Sequence, residues 1–65
     1  MGAGYYALVV KLIKKHNCTF VRQANGSHEI WYSPLNNRKF TVHVTVASRH
    51  AANKILRDAG IDERF

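Results

Sequence analysis

The sequence predicts a two-layer α+β domain with element order α-β-β-β-α. Three observations predict it. Helical periodicity covers residues 5–16 and returns after Ser48, three strand-like stretches lie between, and Asn25-Gly26 and Pro34-Leu35-Asn36-Asn37 punctuate those strands as turns. Each helix has one apolar stripe to bury. A three-stranded antiparallel sheet can take both stripes on one face and leave the other face open.

The first helix places Tyr5, Leu8, Val9, Leu12, Ile13 and His16 on one stripe and Lys11, Lys14 and Lys15 on the opposite side. Lysines in its last turn suit the negative end of the helix dipole. Asn17, tolerant of left-handed geometry, is a natural stop. Residues 18–23 contain the strand formers Thr19, Phe20 and Val21. Asn25-Gly26 is a hairpin signal because glycine accepts positive φ without strain. Residues 27–33 form the second strand and residues 38–44 the third. In the third, Phe40, Val42 and Val44 point one way and Lys39, Thr41 and His43 the other. Residues 45–47 either extend that strand or form the connection. Ser48 suits an N-cap. Ala52, Ile55, Leu56 and Ala59 mark the second helical stripe, and Gly60 suits its C-terminal stop. Ile61 can pack back across that end, with Asp62 to Phe65 expected to fray. This order of elements is that of a domain of the double-stranded-RNA-binding type.

Sixty-five residues make one domain with a thin core, since a chain of this size buries only about 60% of its unfolded surface. The lone Cys18 has no partner for an internal disulfide, which fits a reducing, cytoplasmic setting. It is a weak candidate for a reactive thiol, with no base near it in sequence. The longest apolar run, Tyr5 to Val10, is far short of the roughly 20 residues of a membrane span, and it makes a poor signal peptide. Met1-Gly2 does not begin a myristoylation pattern, because position 6 is Tyr. Ten Lys and Arg face four acids for a net charge of +6, and Asp58, Asp62 and Glu63 crowd into the last eight residues. Such a chain attracts polyanions, either nucleic acid or acidic protein surfaces.

The stretch from Phe20 to Tyr32 holds the residues with chemical potential. A three-residue connection sets Arg22 opposite His28, and a two-residue turn sets Gln23 there; either way a cation lies close to an imidazole. RNA is cleaved when its 2′-hydroxyl attacks the adjacent phosphorus. A base takes the hydroxyl proton and an acid protonates the leaving 5′-oxygen. Histidine, titrating near 6.5, can do either. A cation stabilises the extra charge of the transition state, and Arg22, Arg38 and Lys39 are available. Four histidines without ligand-like spacing or a flanking carboxylate pair give no expectation of a metal or other cofactor. The plainer reading makes His28 structural, because by parity it shares a strand face with Ile30, an expected core residue. His16, His43 and His50 read more simply as boundary or exposed polar residues. Trp31 suits either a protein anchor or a stacking platform for a base.

Several segments together resemble the HicA family of mRNA interferase toxins, from HicA–HicB toxin–antitoxin modules. They are the lysine-rich helix Leu8 to Lys15, the run Phe20-Val21-Arg22-Gln23 followed by Gly26-Ser27-His28, the strand Arg38 to Val42, and Ile55-Leu56-Arg57-Asp58-Ala59-Gly60-Ile61. The resemblance covers nearly the whole chain. It implies a metal-independent endoribonuclease that cleaves mRNA and halts growth until a HicB-type antitoxin binds it. The family's catalytic histidine falls on His28, with Gly26 and Ser27 as the turn that positions it. Arg22, Lys39, Arg38 and Lys11 are then the expected RNA contacts. A non-catalytic RNA-binding module and a basic protein-binding adaptor are the alternatives. The chain departs from the family at Glu29, where a second histidine is common, and across Val44 to His50. Glu29 is expected to leave the chemistry unchanged and to pair with a lysine on the open face.

Overall fold

The computed structural model describes residues 4–65; the Met1-Gly2 reading lies outside the described residues. The chain folds as α1 (Tyr6–Lys15), β1 (Thr19–Gln23), β2 (His28–Ser33), β3 (Arg38–His43) and α2 (Arg49–Asp58), with the strands in sheet order β1-β2-β3. It is α+β, and the expected element order holds. Both helices pack on one face of the antiparallel sheet. Val9 and Ile13 from α1 and Ala52, Ile55 and Leu56 from α2 meet Trp31, Phe40 and Val42 from the strands. Fully burying side chains of this size contributes about 1.5–3 kcal/mol each.

Local chemistry explains most element ends. Asn17, at φ 67°, stops α1, with Cys18 N–H bonding back to Ile13 O at 3.0 Å. The Ser48 hydroxyl caps α2 by accepting from Ala51 N–H at 3.1 Å. Gly60, at φ 77°, ends α2, and Ile61 turns back into the core. Between β2 and β3, Asn37 takes a left-handed φ of 57°. Buried Ser33 locks this end of the sheet to α2 by donating to Ala59 O at 2.6 Å.

Four expectations change. The buried stripe of α1 is rotated toward Tyr6 and Val10, leaving Leu8 half exposed, because the helix meets the sheet through Val9 and Ile13. Val44 does not continue the inward face of β3. It begins an exposed turn, and residues 45–47 form the connection, in which Val46 is buried and its carbonyl accepts from Tyr5 N–H at 2.8 Å. The tail does not fray. Glu63 Oε2 lies 2.7 Å from His16 Nε2, Phe65 N–H donates to Asn53 Oδ1 at 2.8 Å, and the Phe65 ring packs on Tyr5. Ile30 is not a core residue; Trp31 beside it is.

Candidate active site

The face of the sheet away from the helices carries the candidate site. Its residues alternate with the buried residues along β2 and β3. β2 contributes His28, Ile30 and Tyr32, whose register partners on β3 are His43, Thr41 and Lys39. On the other side, Arg22 of β1 pairs with Ile30. Of the four acids, none shares this face: Glu29 turns to the helical layer, Asp58 pairs with Lys54 on α2, and Asp62 and Glu63 lie in the tail. The face is therefore cationic, with no internal counterion.

The β1–β2 turn presents His28. Gly26 sits at φ 49° with open space where a Cβ would be, so backbone geometry rather than crowding favours glycine there. His28 N–H closes the turn on Asn25 O at 2.8 Å, and Ala24 N–H reaches His28 O at 2.9 Å. The tight turn thus centres on Gly26-Ser27, one residue later than expected. Neither Arg22 nor Gln23 stands opposite His28; Ala24 does. The register shift lies between Phe20 and Arg22, where Val21 is the extra residue of a bulge. The bulge turns Arg22 onto the open face, one pair diagonal from His28.

Gln23 was a motif residue without an assigned role, and its geometry supplies one. Its amide donates to Gly26 O at 2.7 Å and to His28 O at 3.0 Å. One side chain so holds both the apex of the turn and the backbone of the histidine. On the other edge, Val44 N–H donates to Ser27 O at 2.7 Å, tying the end of β3 to the same turn.

His28 is exposed, which removes the reading of it as a core histidine. Its ring stacks on that of His43, centroids 4.4 Å apart and planes 17° apart. His43 had looked like an ordinary exposed polar residue. Counting outward from the four-residue Pro34–Asn37 turn would have put it across from His28, and that count is the signal sequence reasoning passed over.

The remaining predicted residues are dispersed. Lys39 lies on the open face at the far end of β3 from His43. Arg38, paired with buried Ser33, instead lines a groove between β3 and α2, together with Lys54 and Arg57. Lys11 is exposed on α1, on the helical layer and away from His28. Trp31 is buried and available neither to a partner nor to a base. Its indole donates to Glu29 Oε1 at 3.0 Å, and Tyr6 OH lies 2.9 Å from each Glu29 oxygen. Glu29 therefore ties β2 to α1 and pairs with no lysine on the open face. Burial, followed by the Glu29 hydrogen bond and charge, raises the Tyr6 phenol above its ordinary range. Cys18 is buried and free; burial pushes its thiol up, only partly offset by Ser33, so it is a packing residue rather than a nucleophile. Among the described residues, no group of three or more His, Cys, Asp or Glu could hold a metal ion, and no helix is long and apolar enough to cross a membrane.

Fold and site define a small basic α+β domain of the double-stranded-RNA-binding type that carries an imidazole pair on its open sheet. Within that class, residues 7–61 match the family described as "HicA toxin of bacterial toxin-antitoxin", and the chain belongs to that family of toxins. No curated protein and no solved structure matches the chain.

Proposed function

We propose that this toxin is a metal-independent endoribonuclease that cleaves mRNA in the cytoplasm, with His28 moving a proton at the scissile phosphate. The observation that carries this reading is a solvent-exposed imidazole, held by the Gln23-clamped turn, on a cationic sheet face with no carboxylate. An RNA strand laid on this face meets His28 at one end, then Arg22 beside Ile30, then Lys39 toward the other end. Arg22 then neutralises the phosphate next to the reacting one, and Lys39 holds the strand further along. Arg38, in the groove beside β3, and Lys11, on the outer side of α1, add to the attraction without reaching the reacting atoms. The regulator is a HicB-type antitoxin that lays acidic residues over the His28 face.

The test is incubation of purified protein with RNA in the presence of EDTA. Cleavage is expected, and His28→Ala should slow it by about 10²–10⁴-fold, the usual share of one general acid or base. Affinity for RNA and thermal stability should persist, because the side chain is exposed. Binding without cleavage by the unmutated protein would make it a passive RNA-binding module. Neither binding nor cleavage would leave a protein-binding adaptor.

A further inference from the structure

In-line cleavage of RNA moves two protons, and His28 alone accounts for one of them. We propose that His43 is the second catalytic residue, dividing the two transfers with His28. The inference rests on the reading of His28 as an RNA-cleaving residue. It adds the partner that the reaction needs.

Three observations carry it. The rings lie face to face, centroids 4.4 Å apart and planes 17° apart, so two imidazoles stand together on the open face. Both histidines stand on regular strand as a direct cross-strand pair, and that end of the ladder is fastened by Val44 N–H to Ser27 O at 2.7 Å. The pair is held by backbone rather than by a mobile loop. Finally, no other imidazole and no carboxylate of β1, β2 or β3 stands on this face, and Tyr32 OH is bonded to Asn37 Oδ1 at 2.8 Å towards the opposite end of the strand.

The reaction needs one of the two rings as base and the other as acid. In the reaction, the neutral ring takes the proton from O2′ as the O2′–P bond forms. The P–O5′ bond breaks, and the protonated ring gives its proton to O5′. The products are a 2′,3′-cyclic phosphate and a free 5′-hydroxyl. The two rings finish with their protonation states exchanged, and solvent resets them.

The experiment compares an ordinary RNA oligonucleotide with one whose scissile 5′-oxygen is replaced by sulfur, a leaving group that needs no protonation. His43→Gln is expected to slow cleavage of the ordinary linkage by about 10²-fold or more, with the circular dichroism spectrum and thermal midpoint unchanged. One of His43→Gln and His28→Gln, and only one, should recover to within about tenfold of the unmutated rate on the sulfur linkage. The variant that recovers has lost the acid, and the other has lost the base. Two outcomes overturn the proposal. Either His43→Gln cleaves the ordinary linkage at the unmutated rate, or it loses equally on both linkages while His28→Gln also fails to recover, which makes His43 a prop for its neighbour. Full activity in His28→Gln would instead sink the assignment of His28 itself.

Discussion

The two faces of the sheet are built from alternate residues of the same strands, and they do opposite work. His28 and Glu29 are adjacent in the chain. The first stands in solvent against another imidazole; the second is turned inward to hold Tyr6 and Trp31. On the helical side no buried side-chain nitrogen or oxygen among the described residues lacks a protein partner. On the open side the cations and imidazoles have no acidic partner from the protein. Under the proposed function, a carboxylate there would weaken the attraction for a phosphate backbone. The one acid within the strands is consumed on the covered face, so the open face keeps its charge for a ligand.

Substitutions can break this division from either side. The largest effect on the covered face should come from Trp31→Ala, which removes the indole between both helices' packing and the Phe20 ring and leaves Glu29 short of a donor. The expected loss is about 3–5 kcal/mol, a large share of the roughly 5–15 kcal/mol that holds a typical domain together. Chemical denaturation would read it. A native-like midpoint would mean that the covered face is not the core.

Gln23→Ala should act on the open face with little effect on stability. Loss of the two clamping hydrogen bonds is expected to remove about 1 kcal/mol yet slow RNA cleavage by roughly 10- to 100-fold, since a small misplacement of a catalytic group has such consequences. A melting shift without an activity change would show that the turn positions His28 unaided.

The smallest effect lies in the tail. The His16 hydrogen bond, opposed by desolvation and helped by the charge of Lys15, lowers the Glu63 carboxyl below its ordinary 4.5. A carboxyl depressed in the folded state adds stability above its unfolded value and loses it as pH falls through the folded one. Glu63→Gln should therefore melt slightly below the unmutated protein near neutral pH. The gap should close once the pH drops well under about 4. A gap that persists in acid would remove Glu63 from the contacts that hold the tail.

Local chemistry was sufficient for much of this molecule. Helix stops at Asn17 and Gly60, the Ser48 cap, the α2 stripe and the Gly26-Ser27-His28 segment were all legible, because each depends on φ preferences, capping or spacing within a few residues. The α1 stripe holds at Tyr5, Val9, Leu12 and Ile13 and fails at Leu8, with Tyr6 and Val10 packing instead, since apolar residues run almost unbroken from Tyr5 to Val10 and give no clear phase. The tail was misread for a related reason: Glu63 and Phe65 look like a loose end until His16, Asn53 and Tyr5 stand beside them.

The chain by itself determined the order of its elements, its basic charge and the histidine after the glycine turn, because these are properties of neighbours along the backbone. Which face of the sheet the helices cover was beyond it. Ile30, Trp31 and Tyr32 are all apolar or aromatic, so strand parity has no contrast to read. Packing against Val9, Ile13 and Leu56 chose Trp31 for the core and so put His28 in water. The pairing of His28 with His43, fifteen residues apart, could be counted from the Pro34–Asn37 turn, but only the choice of covered face put that pair in solvent.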